Sequence, residues 1–593
     1  MINEIDYNYI EGNYMEFYYS IEKNVQIIIA LLKAHGIKKV VASPGTTNVC
    51  LVESMSNDGS FEMFSSADER SAAYIACGMA AESGEPVVLT CTGATASRNY
   101  IPALTEAYYR KLPVIALTAT LHEGRIGQNY PQAIDRRTPL NDISVFNTQL
   151  PYVCNEEDAW ANNLKVNNAL IACKSNGGGP VQINWVTRAL RDFSVKELPY
   201  QRKIDMYIED FPPIKDDRVA IFIGAHQPMN KQLTDSIEKF CEKYNGVVLV
   251  DQTSNYKGKY KVFANLITYQ ELKKNSLTNI SLLIYLGNVS GAYMSLKPEK
   301  VWRVNPDGDS RDCFKKVTGI FKTSELEFFK RYIENNSNNK RTEYYNEWKN
   351  TYKYLYNRIP ELPFSNIWIA SQLVNTLPNG SVLHLGILNS LRSWNFFESD
   401  DSVFCFSNTG GFGIDGVISS LIGASLVHKD KLYFGVVGDL AFFYDMNSIG
   451  NRHVGNNIRL MIVNNGRGTE FRNYNHNGAM FGAEETDKYV AAAGHYGNQS
   501  KNLVKHYAID LGFEYITASN KEDFKNCVSI FLDPNNREKS VVFEVFTDSV
   551  DESDALKLIN SIDYSVSGAT KSAVKKVLGN QGIRKVKNML RRG

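Results

Sequence analysis

The sequence lacks the features that would point to a membrane or a nucleic acid, namely a long apolar run and an excess of one charge. Among its 593 residues, Lys and Arg number 65 and Asp and Glu number 64, which gives a formal net charge of +1. A balanced chain has no global electrostatic attraction for nucleic acid or an anionic surface. No apolar stretch approaches the roughly 20 residues of a membrane-spanning helix, and the polar start MINEIDYNYIEGNY lacks a signal-peptide core. We therefore expect a cytoplasmic protein without a nucleic-acid partner.

The sequence also lacks a disulfide framework and a dinucleotide fingerprint. Its nine cysteines are scattered, odd in number and without a CxxC pair, which argues against structural disulfides and fits a reducing compartment. The segment GAHQP at 224–228 follows an apolar strand but has no close Gly-rich turn before a helix, so FAD and NAD binding are disfavoured. A chain of this length is expected to form about three or four domains.

Apolar segments of strand length alternate with helical segments along most of the chain. In the first third they lie at 37–42, 61–65, 86–91, 113–118 and 180–185. Later segments of the same type lie at 218–224, 246–251, 281–287, 301–305, 381–388, 403–406, 433–437 and 460–463. Strands that alternate with helices indicate parallel, doubly wound sheets. We therefore predict an α/β protein with domains at 1–190, 215–322 and 363–555, followed by a basic tail at 556–593.

Polar side chains follow neighbouring strands of the last predicted sheet. The strand at 433–437 ends in Gly-Asp-Leu, which contains Asp439, and the strand at 460–463 ends in Asn-Asn-Gly, which contains Asn465. Ligands bind at this edge of open α/β sheets. Carboxylate and amide oxygens suit Mg2+, which can fill its other coordination positions with phosphate oxygens. A helix that begins near Ala441 would point its amides at the same phosphates. Two ordinary turns are the alternative, but the spacing of about one βαβ unit favours a metal site.

Glu69 is the candidate catalytic acid of the first domain. It lies where the strand at 61–65 is followed by an Ala-rich helix at 71–83. An acid at this position also complements a helix dipole. The position alone therefore leaves a structural and a catalytic role open.

Several motifs around Glu69 resemble those of thiamine diphosphate (ThDP) enzymes. They are SPGTTN at 43–48, ADERSAAYIACGMA at 67–80 and NYIPALTEAYY at 99–109. The segment SNTGGFGIDG at 407–416 and the GDL and VNN motifs then follow in family order. Within that superfamily the chain is most similar to the menaquinone-pathway synthases, which join a 2-oxoacid-derived unit to isochorismate. The resemblance covers about 30–190 and 365–550, and it implies pyrimidine-binding, central Rossmann-like and diphosphate-binding domains in that order.

The resemblance assigns roles to individual residues. Glu69 would bind N1′ of the aminopyrimidine and favour the imino tautomer that generates the ylid, and Gln132, in GQNYPQAI at 127–134, would contact the substrate adduct. Asp439, the Asn465 side chain and the main-chain carbonyl of Arg467 would bind Mg2+. The residues expected to bind the cofactor are Gly45, Thr92, Gly93, Asn408, Gly410, Gly438, Leu440, Asn464 and Gly468.

The candidate substrate residues depart from the family pattern. They are Thr46, Thr47, Asn389, Ser390, Arg392 and Thr409. The synthases place arginines where this chain has Thr47 and Thr409, and Arg392 falls two residues short of a family arginine whose place Trp394 takes. Arginine holds a carboxylate by a bidentate pair, whereas threonine offers one neutral donor. We predict that the enzyme does not make the menaquinone precursor and prefers a small 2-oxoacid such as pyruvate with a less anionic acceptor, for example a keto sugar. Another arginine that restores the clamp, namely Arg98, Arg125 or Arg392, is the alternative.

The predicted activity is that of a ThDP- and Mg2+-dependent carboligase. Ylid attack on a 2-oxoacid and loss of CO2 would be followed by transfer of the carbanion to an acceptor. The family binds its cofactor between the first domain of one subunit and the third of another, so a homodimer or homotetramer is expected. A simple 2-oxoacid decarboxylase that releases an aldehyde and a catalytically silent scaffold remain alternatives, although intact Glu69, Asp439 and Asn465 argue against the scaffold. The basic segment at 571–593 either docks on an anionic membrane surface or forms a packing or flexible helix.

Overall fold

The computed structural model describes residues 18–292, 294–334, 341–496, 499–536 and 538–564. The chain divides after Met206 into two compact units. One parallel sheet lies in the first unit and two further sheets lie in the second. The predicted α/β fold with three parallel sheets is therefore confirmed. The predicted tail segment at 571–593 lies outside the described residues.

The first sheet has six parallel strands in the order β2-β1-β3-β4-β6-β5. They are β1 (Lys39–Ala42), β2 (Glu62–Ser65), β3 (Val87–Cys91), β4 (Val114–Thr120), β5 (Phe146–Leu150) and β6 (Val181–Val186). The helices of this unit are α1 (Lys23–Ala34), α2 (Val49–Asp58), α3 (Glu69–Ser83), α4 (Thr95–Arg98), α5 (Ile101–Arg110) and α6 (Glu156–Lys174). Strands β3 and β6 are buried at every residue. Apolar residues dominate β3, as expected for a buried parallel strand, whereas β6 also contains the buried Gln182 and Asn184, which are hydrogen-bonded to each other at 3.2 Å.

Helices cover both faces of the first sheet. One apolar cluster joins α1, α2 and α6 to the face that carries Val40, Val88 and Ile115. The other cluster joins α3 and α5 to the opposite face, and most of its helical members are alanines. Helix α3 packs against α5 and against β3. The carboxyl ends of the strands are left for the loops that carry the candidate site residues.

The second sheet has seven strands in the order β10-β9-β8-β11-β12-β13-β7. They are β7 (Asp205–Tyr207), β8 (Val219–Ile223), β9 (Val247–Val250), β10 (Lys261–Phe263), β11 (Asn279–Leu286), β12 (Lys297–Val304) and β13 (Val317–Phe321). The accompanying helices are α7 (Lys231–Tyr244), α8 (Asn265–Thr268), α9 (Glu325–Ile333) and α10 (Glu343–Tyr356). Aromatic rings of α7, α9 and β13 pack together, and Phe328 lies at the centre of this cluster.

The third sheet has six parallel strands in the order β15-β14-β16-β17-β19-β18. They are β14 (Val382–Leu385), β15 (Phe404–Phe406), β16 (Tyr433–Gly438), β17 (Ile458–Asn464), β18 (Glu514–Ala518) and β19 (Val541–Phe546). The helices are α11 (Asn366–Leu373), α12 (Asn389–Trp394), α13 (Val417–Val427), α14 (Asp439–Asp445), α15 (Ala483–Tyr489), α16 (Leu503–Asp510), α17 (Lys521–Leu532) and α18 (Ser549–Ile559). Gly438 pairs with Val463 in the register of β16 and β17, so the two motifs that follow these strands are neighbours, as predicted.

The domain bounds drawn from the sequence stay predictions. The sheets themselves occupy 39–186, 205–321 and 382–546. No helix among the described residues combines the length and apolarity that a membrane crossing requires.

Candidate active site

Asp439 is the central residue of the third-sheet edge. It is the first residue of α14, directly after β16, and it is 4% exposed. The helix therefore begins two residues before Ala441, the position near which the sequence places its start. The backbone amides of Leu440 and Gly466 lie near the Asp439 carboxyl and favour its charged form, which lowers its pKa. Because Gly466 belongs to the turn after β17, the structure joins the two sequence motifs through this carboxyl.

The Asp439 carboxyl lies in an environment that disfavours its negative charge. Burial raises its pKa from 3.8 to about 7, and the negative charge of Glu544 acts in the same direction against the backbone amides. Among the described residues Asp439 forms no ion pair with a cationic side chain. A buried carboxylate without a counter-charge is costly, so this edge favours the binding of a cation.

The turn after β17 offers the remaining oxygen atoms. Within the described chain, Asn465 Oδ1 is buried and has no hydrogen-bond partner, which is rare for a buried side-chain oxygen. The Arg467 carbonyl accepts the Thr469 amide at 2.9 Å and keeps a second lone pair. The Arg467 guanidinium is bound to Asp487 at 2.6 Å, so only its main-chain oxygen fits the ligand role.

This donor set fits a hard divalent cation. It combines one carboxylate, one amide oxygen and one main-chain carbonyl, with further positions for phosphate oxygens and water. The described residues contain no group of three or more His, Cys, Asp and Glu that would hold a metal. A cation at this edge therefore depends on mixed protein oxygens and on an anionic ligand.

Asn464 has both ends of its amide engaged within the protein. Its Nδ2 donates to Glu544 Oε1 at 2.7 Å, and its Oδ1 accepts the Gly466 amide at 3.2 Å. The Asn464 side chain thus shapes the turn, and any contact with the cofactor falls to its backbone. Glu544 was missed by the sequence reasoning, although a glutamate inside the apolar strand VVFEVF is a signal of a special environment.

Glycines and a polar loop complete this edge of the sheet. A Cβ added at Gly438 or Gly410 would meet no atom within 4 Å, which leaves room for a ligand against the backbone. At Gly468 a Cβ would lie 3.0 Å from the Phe471 ring. Asn408 accepts a hydrogen bond from Ser420 at 3.2 Å.

Glu69 lies at the edge of the first sheet, as the first residue of α3. The helix is capped by its neighbour Asp68, whose carboxylate accepts the Arg70 amide at 2.9 Å and the Ser71 hydroxyl at 3.1 Å. Glu69 is half-buried, and its side chain makes no hydrogen bond or ion pair with another described residue. Because Asp68 caps the helix, the structural role left for the Glu69 carboxylate is its interaction with the helix dipole, and the catalytic interpretation stays open beside it.

The charge of Glu69 acts on buried groups at the same edge. Burial raises the pKa of the Cys91 thiol to about 12, and the Glu69 charge adds to this effect. The buried Tyr100 hydroxyl also has a raised pKa, mainly through burial and in part through Glu69. Glu69 therefore lies close to the carboxyl end of β3, where the cofactor candidates Thr92 and Gly93 follow.

The SPG loop packs against the end of β3. A Cβ added at Gly45 would lie 2.6 Å from Thr92 Cβ, so this contact requires glycine. The Thr47 hydroxyl is hydrogen-bonded to the Thr92 hydroxyl, and Thr46 is exposed. At Gly93 a Cβ would lie 3.0 Å from the Ala119 carbonyl oxygen.

Gln132 lies in an exposed loop with unusual backbone geometry. Its φ is +62°, and Asn129 in the same loop has a φ of +60°. Left-handed conformations of residues other than glycine are uncommon and cluster at functional sites. The Gln132 side chain makes no hydrogen bond with another described residue, so it remains free to contact a substrate.

The substrate candidates of α12 are held by other side chains. Arg392 forms a bidentate ion pair with Glu470, with N–O distances of 2.7 and 2.6 Å. Asn389 donates to Glu552 at 3.3 Å, and the Ser390 hydroxyl accepts from the Asn366 amide at 3.2 Å. The Arg392 charge is therefore compensated within the chain, which weakens its candidacy as a clamp for a substrate carboxylate.

The other arginines that would restore a clamp are on the surface. Arg98 is exposed and donates to the Asp135 carbonyl at 3.1 Å. Arg125 is exposed and lies over the Tyr130 ring at 5.0 Å.

Two further residues at the third sheet are buried. The substrate candidate Thr409 is 5% exposed. Glu552, which the sequence reasoning also missed, is fully buried, and burial raises its pKa to about 7.

Comparisons with known proteins agree with these features. The model of the thiamine pyrophosphate enzyme N-terminal TPP binding domain matches residues 23–138. The 2-succinyl-5-enolpyruvyl-6-hydroxy-3-cyclohexene-1-carboxylate synthase of Bacteroides fragilis is 30% identical over 568 residues, which cover 91% of this chain and 98% of that protein. The enzyme of the same name from Bacteroides thetaiotaomicron is 30% identical over 574 residues, with coverage of 91% and 98%. The Flavobacterium johnsoniae enzyme is 28% identical over 477 residues, with coverage of 75% and 84%.

Proposed function

The chain belongs to the thiamine diphosphate enzymes, in the family of the 2-succinyl-5-enolpyruvyl-6-hydroxy-3-cyclohexene-1-carboxylate synthases, and from this premise we propose that it is a Mg2+-dependent 2-oxoacid decarboxylating carboligase. Thiamine diphosphate is the cofactor of this family, which uses it with a divalent metal. The reaction would remove CO2 from a 2-oxoacid and join the remaining carbon unit to an acceptor.

The observation that carries this proposal is the third-sheet edge. Asp439 is a buried carboxylate without a cationic partner among the described residues, and the buried Asn465 Oδ1 has no hydrogen bond there. A cation that also binds a diphosphate would give the Asp439 carboxylate a counter-charge and Asn465 Oδ1 a partner. Asp439, Asn465 and the Arg467 carbonyl would bind this cation, and we assign it as Mg2+.

Each candidate residue would have a distinct task. When bound, thiamine diphosphate supplies the carbon nucleophile and the sink for the electrons that decarboxylation releases. Glu69 would bind the pyrimidine ring nitrogen and keep a proton there. Gln132, which has no internal hydrogen bond within the described chain, would orient the substrate. The Gly438 and Gly410 backbones would admit the cofactor closely.

The proposed substrate differs from that of the named relatives. The Thr47 hydroxyl is engaged with Thr92, and Arg392 is neutralised by Glu470. These contacts favour a small monocarboxylic 2-oxoacid such as pyruvate over a dicarboxylic donor, because a second carboxylate would lack a charged partner. A neutral polar acceptor, such as a keto sugar, suits the same environment.

A screen of 2-oxoacids tests the proposed function. The protein is supplied with ThDP and Mg2+, CO2 release is measured for each acid, and products with candidate acceptors are identified by mass spectrometry. We expect CO2 release from pyruvate and a ligated product when a carbonyl acceptor is present. Aldehyde release without ligation would establish a simple decarboxylase, and neither cofactor retention nor turnover would establish a silent scaffold.

A comparison of donors tests the substrate assignment. We expect pyruvate with a carbonyl acceptor to be turned over faster than 2-oxoglutarate with isochorismate. The opposite order would show that this chain has the activity named for its relatives.

We further propose that the active form is a homodimer or homotetramer in the cytoplasm. Sedimentation of the cofactor-loaded protein would test the oligomeric state, and fractionation of the source cells would test the location.

A further inference from the structure

A buried glutamate interrupts the apolar strand β19 near the proposed metal site. Glu544 lies in the sequence VVFEVF and is 1% exposed. Buried glutamates are rare unless they are paired. Among the described residues, the hydrogen-bond partners of Glu544 are an amide and a phenol, and it forms no ion pair. Glu544 is therefore a buried carboxyl whose hydrogen-bond partners are neutral, and its burial raises its pKa.

Both oxygen atoms of Glu544 are held in place. Oε1 accepts from Asn464 Nδ2 at 2.7 Å, and Oε2 accepts from the Tyr515 hydroxyl at 2.7 Å. In the register of β17 and β19, Glu544 lies opposite Ile462. Asn464 is two residues further along β17 and thus on the same face of the sheet as Ile462, so the glutamate side chain leans toward the carboxyl edge.

The contacts of Glu544 continue into the proposed metal site. Asn464 accepts the Gly466 amide at 3.2 Å through its Oδ1, and the Gly466 amide also lowers the pKa of the Asp439 carboxyl. The residue between Asn464 and Gly466 is Asn465, whose buried Oδ1 has no partner within the described chain. A continuous set of hydrogen bonds therefore runs from Glu544 through Asn464 to the turn that presents the ligand oxygen.

We propose that Glu544 is a positioning residue for the divalent cation, which it serves by fixing the Asn464 amide and by adding negative charge behind Asp439 and Asn465. This inference rests on the metal site of the proposed function. Partners of this kind orient metal ligands and typically change metal affinity by about 10–100-fold when they are mutated. The charge of Glu544 already acts on the Asp439 carboxyl, so the cation would be attracted by both carboxylates.

A purely structural role is the rival explanation. Glu544 also ties together strands β17, β18 and β19 through its contacts with Asn464 and Tyr515. A residue that only joins strands would change the stability of the metal-free protein. It would not change the concentration of Mg2+ at which the cofactor stabilises the fold. The two roles therefore separate in a metal titration.

The experiment titrates Mg2+ into dialysed full-length protein at a fixed ThDP concentration and records the melting temperature, which rises when a ligand binds the folded state. Glu544→Gln keeps the size of the side chain and one acceptor oxygen for Asn464, replaces the other oxygen with a donor NH2 group, and removes the charge. We expect the Mg2+ concentration for half-maximal stabilisation to rise about tenfold or more. The readout requires neither a substrate nor turnover.

Glu552→Gln is the matched control. Glu552 is another buried glutamate of the same unit, 2% exposed, and it accepts hydrogen bonds from Asn366 and Thr547. We expect its midpoint for Mg2+ to equal that of the wild type even if its metal-free melting temperature falls. An unchanged midpoint in Glu544→Gln, or an equal shift in both variants, would overturn the positioning role.

Further variants keep the test decisive. Glu544→Asp retains the charge but shortens the side chain away from Asn464, and it replaces Glu544→Gln if that protein does not fold. We expect an about tenfold shift for Glu544→Asp as well, and an unchanged midpoint would again refute the proposal. A wild type that shows no Mg2+-dependent stabilisation would refute the metal site itself. A wild type that is stabilised by Mg2+ with the same midpoint as its variants would refute the positioning role of Glu544 alone.

Discussion

The two sheet edges that carry the candidate catalytic residues treat their carboxylates differently. At the third-sheet edge, Asp439 and Glu544 are 4% and 1% exposed, and neither forms an ion pair with a described residue. At the first-sheet edge, Glu69 is only half-buried, and the capping of its helix is done by Asp68. A hydrated carboxylate costs little, whereas a buried one without a counter-charge is expensive.

This difference separates two kinds of functional residue. The third-sheet edge has a charge imbalance that a cation would correct, so its residues should control whether the cofactor is held. At the first-sheet edge, the carboxylate of Glu69 is half-buried and has no hydrogen bond to a described residue, so Glu69 should control the rate after the cofactor is held. The comparison can be tested by removing each acid separately.

Asp439→Ala should have the largest effect, namely the loss of ThDP retention. The substitution removes the proposed carboxylate ligand of the bridging cation, and the diphosphate then has no counter-charge. ThDP that remains with the protein after gel filtration in Mg2+ is the measurement. Asp445→Asn is the control, because Asp445 is buried in the same helix and accepts from the Ser419 hydroxyl at 2.6 Å. Equal ThDP retention by Asp439→Ala and the wild type would contradict the proposed role of the third-sheet edge in holding the cofactor.

Glu69→Gln should affect rate instead of retention. We expect the variant to bind ThDP normally and to lose roughly 10²–10⁴-fold in turnover, the usual range for removal of a proton-transfer group. Glu82→Gln, an exposed site near the end of the same helix, should leave both quantities unchanged. A defect confined to ThDP binding, with normal turnover of the loaded fraction, would make Glu69 structural.

Thr47→Arg should sharpen the contrast by adding a charge to the first-sheet edge. One charged hydrogen bond of about 1.5–3 kcal/mol corresponds to about a ten- to hundredfold change in rate. We therefore expect the ratio of kcat/KM for 2-oxoglutarate to that for pyruvate to rise by this factor. A ratio that stays constant would mean that the substrate carboxylates do not approach this loop.

A smaller effect is expected on the pH dependence of stability. The folded-state pKa of Asp439 is raised from 3.8 to about 7, so between these values the folded state holds a proton that the unfolded state has released. The stability from this proton is fully present below the unfolded pKa and is lost as pH rises through about 7. Urea unfolding of the metal-free protein at pH 5 and pH 8 should therefore show a larger loss for the wild type than for Asp439→Asn. Equal losses in both proteins would contradict the buried, uncompensated state of Asp439.

The sequence predicted best where local pattern and geometry coincide. The strands before Asp439 and Asn465 are unbroken apolar segments, and parallel neighbours must end at the same edge, so the adjacency of the two motifs followed from the sequence. Six strands were not predicted, namely β5, β7, β10, β13, β18 and β19. Four of them, β5, β7, β10 and β18, lie at sheet edges, and β5 and β18 have the partly polar sequences FNTQL and EYITA with incomplete burial. Strand β19 is interior, and its apolar sequence VVFEVF is interrupted by Glu544.

Side-chain contacts between residues that are far apart in the chain could not be predicted from the sequence. Arg392 meets Glu470 across 78 residues, and Thr47 meets Thr92 across 45. No local spacing encodes such partners, because they depend on how the chain returns to the same sheet edge. The ion pair with Glu470 weakens the candidacy of Arg392 as a clamp for a substrate carboxylate, and this role stays a prediction.

The central claim is that the third-sheet edge binds a divalent cation and a diphosphate together, and a crystal structure of the protein with ThDP and Mn2+ tests it most directly. The anomalous signal of Mn2+ locates the ion without reference to activity. We predict a single peak within about 2.0–2.3 Å of an Asp439 carboxylate oxygen and of Asn465 Oδ1, the usual range for such oxygen ligands, with the diphosphate completing its coordination. A peak elsewhere, or ThDP bound at this edge without any ion, would contradict the account.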